Sequence, residues 1–189
     1  MKWLIASDIH GSAFWCRKLA DAFTESGADR LLLLGDLLYH GPRNDLPAEY
    51  DPKAVSAMLN AQKNRILCVR GNCEAEVDQM MLEFPVLGEY ALISLENSVI
   101  FATHGHHFHA DAMPPLMPGD ILLHGHTHIP VCTQSGACFV LNPGSVSIPK
   151  NGTPHSYMVL ENGEFLWKNL ENGQTYGTWK PGTPADLRF

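Results

Sequence analysis

Lys2-Trp3-Leu4-Ile5-Ala6-Ser7 runs without a break into Asp8-Ile9-His10. The run is short, continuous and apolar, the pattern of a strand buried on both faces. The residues that follow it carry chemistry, not packing. The same junction recurs downstream. Arg30–Leu34 (RLLLL) leads into Gly35-Asp36, and Arg65–Val69 (RILCV) leads through Arg70 into Gly71-Asn72-Cys73. Ser98–Thr103 (SVIFAT) leads into His104-Gly105-His106, and Asp120–Leu123 (DILL) into His124-Gly125-His126-Thr127-His128.

Helical stretches separate the first runs. Trp15, Leu19, Ala22 and Phe23 share one face, with Ser12 as N-cap and Gly27 just past the end. Asp51-Pro52 opens a second helix with Val55, Met58 and Leu59 as its stripe. Alternating strand and helix predicts a parallel α/β core. The last third differs. Val131–Gln134 and Ala137–Leu141 flank Ser135-Gly136, while Ser156–Leu160, Glu164–Asn169 and Thr175–Trp179 are separated by Asn162-Gly163 and Asn172-Gly173. Asn-Gly between apolar runs is a strong hairpin signal, so this region reads as an antiparallel meander. The expectation is two sheets in one domain, residues 1–180, with a loose Pro/Gly-rich tail at 181–189.

The composition narrows the function classes. At 189 residues with 45% hydrophobic residues the chain can bury a substantial core as one domain. Thirteen Lys+Arg against 20 Asp+Glu give a net charge of −7, with the basic residues dispersed, which argues against a nucleic-acid partner. No apolar run approaches the ~20 residues of a membrane span, and the N-terminus does not read as a signal peptide. Five Cys without a CxxC pair suit reduced thiols and a cytoplasmic location. Ten His are the unusual feature.

Ligand sites in open α/β sheets form outside the carboxyl ends of the strands. The five junctions therefore deliver Asp, His and Asn side chains to one rim, with neighbouring glycines allowing sharp turns. Carboxylate, imidazole and amide oxygen form a mixed O/N donor set suited to Mn²⁺, Fe or Zn²⁺. A pair of such ions needs a shared bridging carboxylate and can activate water against a phosphoryl group. The reaction class this donor set implies is phosphate ester hydrolysis.

The ordered motifs D-x-H, G-D, G-N, H-G-H and G-H-x-H resemble those of the calcineurin-like metallophosphoesterases. Gly41–Asn44 (GPRN), Gly71–Glu74 (GNCE) and Asn142–Ser145 (NPGS) are similar to segments of the bacterial YfcE-type phosphodiesterases. The resemblance spans Met1 to about Lys150 and implies an α/β sandwich of two mixed β-sheets flanked by helices. It implies Asp8, His10 and His128 on one metal, Asn72, His104 and His126 on a second, and Asp36 bridging. The expected cofactor is two divalent ions, Mn²⁺ first, with Fe, Zn²⁺, Ni²⁺ or Co²⁺ as alternatives. The expected mechanism is in-line attack on a small-molecule phosphodiester by a metal-bridging hydroxide.

The family usually has His after the Asn of G-N, where it is thought to protonate the leaving group; this chain has Cys73. A thiol beside two cations tends towards thiolate, which cannot donate, so Cys73 is either a weakened acid or a filler. In Tyr39–Asp45, His40 and Arg43 are candidate phosphate contacts, as is His106; a plain surface loop is the alternative for the segment. His107, His109 and His155 read as solvated or structural, and His124 as packed. Asn142–Ser145 is either a support beside the second metal or a plain turn. The competing function is a scaffold of the same fold, of the Vps29 type, with a degenerate site; here no ligand type is missing. Self-association as a dimer or tetramer is compatible with the sequence.

Overall fold

Successive residues of the first strands face different partners, and that parity builds the architecture. The computed structural model describes every residue except Arg188. In chain order the elements are β1 (Trp3–Ala6), α1 (Ala13–Ser26), β2 (Arg30–Leu33), α2 (Pro52–Asn60), β3 (Ile66–Cys68), α3 (Glu76–Met81), β4 (Tyr90–Ser94), β5 (Val99–Thr103) and β6 (Ile121–Leu123). There follow β7 (Val131–Ser135), β8 (Cys138–Asn142), β9 (Ser156–Glu161), β10 (Glu164–Asn169), β11 (Thr175–Trp179) and β12 (Asp186–Leu187). Two six-stranded sheets result, ordered β11-β10-β9-β1-β2-β3 and β12-β7-β8-β6-β5-β4. β1, β2 and β3 run parallel, as do β5, β6 and β8. The remaining neighbours pair antiparallel, so both sheets are mixed.

Leu4, Ala6, Leu31 and Leu33 pack outward against Trp15, Leu19 and Phe23 of α1 and Val55 and Leu59 of α2. Ile5, Leu32 and Leu34 point the other way, against Ile100, Ala102, Ile121 and Leu123 of the second sheet. A continuous apolar run thus serves two cores at once, each buried Leu or Ile contributing about 1.5–3 kcal/mol. With both faces apolar, burial alone does not choose the strand register; the polar loops at the strand ends supply that choice. The outer face of the second sheet, Phe101, Leu122 and Val140, is covered by Phe108, Met113 and Leu116, so loop stands there where helices cover the first sheet.

The local signals act as read. Ser12 Oγ accepts from the Trp15 amide at 3.3 Å, Gly27 closes α1 at φ 64°, and Asp51 Oδ1 accepts from the Ala54 amide at 3.0 Å. Asn162 and Gly163 both take positive φ in the β9–β10 turn. Three expectations need correction. The five apolar runs do not share one sheet: three build the first and two the second. The expected meander is split, because β7 and β8 join the second sheet while β9–β11 extend the first. Hairpin signals fix which neighbours pair, not which sheet a hairpin joins. The tail at 181–189 supplies β12, whose Asp186 and Leu187 pair with Thr133 and Cys132, and Phe189 packs on Trp167; Arg188 lies outside the described residues. Ala185, Leu187 and Phe189 belong to the inter-sheet core, which gives the tail a reason to stay. Among the described residues no helix is long and apolar enough to cross a membrane.

Candidate metal centre

Asp8 and His10 follow β1, Asp36 follows β2, Asn72 and Cys73 follow β3, His104 follows β5, and His126 and His128 follow β6. Five of these residues have left-handed backbones: Asp8 (φ 61°), His10 (49°), Asp36 (55°), His126 (66°) and His128 (63°). Such a conformation costs an L-residue roughly 1–2 kcal/mol and persists only where the surroundings enforce it. Here they do. The Asp8, His10 and Gly11 amides donate to the carbonyls of Gly35, Asp36 and Leu37 at 3.1, 2.9 and 2.8 Å, locking the first two loops together. The hydroxyls of Ser145 and Ser147 both donate to the Asp8 carbonyl at 3.0 Å. Asn142 Nδ2 donates to the Gly125 carbonyl at 2.7 Å and Thr127 Oγ1 at 3.1 Å. Two glycines are obligatory: a Cβ on Gly71 would collide with the Asp36 carboxylate, and one on Gly125 with the Ser7 side chain and Asp8 Oδ2.

The rings are aimed as well as placed. His10, His104 and His128 each present Nδ1 to a backbone carbonyl, of Tyr39 (2.8 Å), Leu34 (2.6 Å) and Ile148 (2.7 Å). Each Nδ1 therefore donates a proton outward and each Nε2 faces inward, where it can ligate once deprotonated. His10 Nε2 and His128 Nε2 stand 3.3 Å apart, with Asp8 Oδ1 at 3.6 and 3.4 Å. His104 Nε2 lies 3.0 Å from Asn72 Oδ1 and 3.2 Å from His126 Nδ1. Between the groups, Asp36 Oδ2 is 3.6 Å from His10 Nε2 and 3.5 Å from His104 Nε2.

Whether cations suit this arrangement can be judged from its unpaired atoms. Asp8 is fully buried, and its Oδ1 has no hydrogen-bond partner. Inward-facing ring nitrogens beside an orphaned carboxylate oxygen form a set of metal donors, and a cation in place of the ring protons would satisfy all of them. Asp8, His10 and His128, and likewise Asp8, Asp36 and His104, bring donor atoms within 4.8 Å of one another. The residues fit divalent ions.

The titration behaviour agrees. Burial would raise Asp8, yet the imidazoles of His10, His128 and His104 hold it well below the usual carboxylate range. Burial would likewise raise Asp36, and His104 outweighs it. Burial would lower His104, but Asp36 and Asp8 bring it up to about 9. His126 moves the other way, to about 4, through burial and the adjacent His104. At Cys73, burial and then Asp36 push the thiol well above its ordinary value, so the protein's own groups oppose the thiolate. Its amide donates to Asp36 Oδ1 at 2.9 Å.

Arg43 lines the cleft of about 420 Å³ above the centre, together with Asn72, Cys73 and His126. His40 does not line it: its ring packs edge-on against Tyr39 and Tyr50, so the expected phosphate contact is turned aside. His106 sits beside the centre, its ring 5.4 Å from that of His104, outside the cleft lining. His124 is buried, as read. Sequence reasoning missed two contributors. Lys150 lines the cleft, with no local motif to mark it. Glu74, buried, accepts from the amides of Asp36 (2.9 Å), Leu37 (2.7 Å) and Gly71, tying the loops after β2 and β3 together. Its signal was an acidic residue just past a Gly-Asn turn amid apolar neighbours.

Comparison with known proteins follows the same lines. The solved structure of YfcE, a phosphoesterase from Escherichia coli, superposes with a TM-score of 0.93 at 44% identity, covering 96% of this chain and 100% of that one. Phosphodiesterase YfcE of E. coli K12 is 49% identical over 162 residues, 86% of this chain and 88% of that protein. Vacuolar protein sorting 29 from Cryptosporidium parvum, at 18% identity and a TM-score of 0.60 over 95% of this chain and 97% of that one, shares the fold. Residues 1–164 match the calcineurin-like phosphoesterase superfamily domain, and to that family this chain belongs.

Proposed function

We propose that the protein is a two-metal phosphodiesterase acting on a small-molecule phosphate ester. The observation that carries the reading is the inward aim of His10, His104 and His128, each ring fixed through Nδ1 to a backbone carbonyl, around two buried carboxylates. A surface that only bound a partner would have no use for that strain and desolvation. Asp8, His10 and His128 would hold one ion and Asn72, His104 and His126 the other, with Asp36 shared. Two divalent ions, Mn²⁺ first among them, would supply a water of lowered pKa and neutralise charge building on the phosphoryl oxygens.

The chain's own groups do the rest. Arg43 and Lys150, both on the cleft wall, offer cationic donors to the phosphoryl oxygens. Cys73, held protonated by burial and by Asp36, is a poor acid, so esters with good leaving groups turn over best. Asn72 contributes an amide oxygen that stays neutral at any working pH. The relation to the E. coli phosphodiesterase supports the diester class. The test is hydrolysis of bis(p-nitrophenyl) phosphate by chelator-stripped protein after adding Mn²⁺, Zn²⁺, Co²⁺ or Ni²⁺. Restored turnover is expected; none with any metal would favour a scaffold.

A further inference from the structure

Beside the cleft, and sharing Cys73 with it, lies a second concavity of about 410 Å³ whose walls include Leu38, Tyr39, Val77 and Met81. Cys73 lines both, so the polar site and an apolar groove meet at one small side chain. We infer that this groove receives an apolar ester arm, an aryl or compact alkyl group, of the phosphate ester whose phosphoryl centre occupies the cleft. The inference rests on the phosphoesterase reading and narrows its substrate class.

Three features of the groove converge on that occupant. Its size falls within the range of small-molecule pockets, roughly 300–1,000 Å³, and exceeds the needs of a single ring. Its walls are fixed to the loops that carry the metal donors: the Tyr39 carbonyl anchors His10 at 2.8 Å, and the Cys73 amide anchors Asp36 at 2.9 Å. Apart from Leu38, which belongs to the core, its apolar surface is left exposed. Tyr39, Val77 and Met81 are 42%, 61% and 44% exposed, and α3, which carries two of them, buries none of its residues. Such surface continuous with a polar cleft has the composition of a ligand site, apolar walls beside a few convergent polar groups. Lys53 and Asp78 also line the groove and offset one another, so it offers no net charge to attract an ionic arm.

Binding of methylphosphonate and phenylphosphonate to the Mn²⁺-loaded protein, measured by calorimetry, tests the groove without requiring turnover. Both carry the same anionic head, and they differ in the arm. Phenylphosphonate should bind about tenfold tighter, as expected for partial burial of a ring. Val77→Asp and Met81→Asp, both at exposed positions, should bring the ratio to within about twofold while methylphosphonate affinity holds. Equal affinities in the wild type, or a ratio retained in both variants, would overturn the inference. So would equal weakening of both ligands together with a changed molecular mass in solution, which would mark the patch as a contact between copies of the chain. Phosphonate binding with the expected ratio in a protein that hydrolyses no ester would instead sink the catalytic reading and leave the groove standing.

Discussion

Asp8, His10 and His128 are 0%, 1% and 4% exposed, and both rings are pinned to backbone carbonyls. In the other half only His104 is held that way; Asn72 is exposed, and His126 is half-buried with its Nδ1 turned to His104. The difference is physical, not decorative. A cage built dry and rigid loses little entropy when it closes on an ion, whereas a half that faces the cleft must leave room for an ester and holds its donors loosely. The two halves should therefore load separately: Mn²⁺ titration of stripped protein should give a tighter and a weaker phase, with His126→Ala erasing the weaker alone.

Asp36 would be shared by both halves of the proposed centre, so its loss should give the largest effect. Asp36→Asn keeps the volume and removes the charge that stands 3.6 Å from His10 and 3.5 Å from His104. Activity should fall on the order of 10³-fold, the scale of removing a main electrostatic contributor, and metal analysis should show both ions weakened. Loss of one ion only would place Asp36 in a single half.

Glu74 supports the open half from behind. Its carboxylate gathers the amides of Asp36, Leu37 and Gly71, the last next to Asn72. Glu74→Ala strands those buried donors at a cost of about 1–3 kcal/mol each if no water replaces the carboxylate. Activity should drop roughly 10–100-fold, as for other groups that orient ligands, with a lowered melting temperature and the weaker Mn²⁺ phase most affected. A uniform loss of both phases would mean that the loops after β2 and β3 serve the two halves alike.

Much of the closed half was legible because a left-handed Asp or His after an apolar strand leaves a local trace. Asp8-Ile9-His10 and His126-Thr127-His128 each announce themselves by residue type and spacing. The open half was legible in its ligands and not in its supports. Glu74 and Lys150 act across space, one on loops 38 and 37 residues earlier, and no periodicity encodes such a reach. His40 shows the converse: its position after Asp36 suggested a phosphate contact, but its ring packs edge-on against Tyr39 and Tyr50 and does not line the cleft. The sheets followed the same division. Strands were readable from apolar runs, but β4 escaped because its residues alternate between half-buried and exposed, and the partition into two sheets depends on long-range pairing.

Protonation separates the two histidines of the open half. Burial opposes a proton on His104, yet Asp36 and Asp8 raise it to about 9, so at pH 7 the metal-free ring is charged. With Nδ1–H donated to Leu34, the extra proton sits on Nε2, the atom that must face the ion. Metal binding at pH 7 should therefore release a proton, and affinity should fall as pH drops below about 9, by up to about tenfold per unit. His126, lowered to about 4 by burial and His104, is already neutral and releases none. Calorimetry in two buffers of different ionisation enthalpy should show about one proton released across the weaker Mn²⁺ phase at pH 7 and fewer at pH 10; a count that does not fall with rising pH would show that His104 does not supply the proton.

The smallest effect concerns the outer support of the closed half. His155 stacks on Trp15 at 3.6 Å and presents Nδ1 to the Val146 carbonyl at 2.8 Å, within the segment whose Ser145 and Ser147 brace Asp8. Burial lowers its pKa, only partly offset by that carbonyl and by Glu171. Above the unfolded value of about 6.5 both states are neutral and the group contributes nothing to pH dependence. Below it the unfolded chain binds a proton that the folded chain resists, so stability declines as pH falls from about 6.5 through the folded value. His155→Phe keeps the stack and removes the proton. Stripped wild-type protein should lose about 1–3 °C more in melting temperature between pH 6.5 and 5 than the variant does. At pH 7 the tighter Mn²⁺ phase should be unchanged, because the two serines hold Asp8 without help from the ring; a weakened tight phase would mean that the closed half depends on this stack as well as on its own hydrogen bonds.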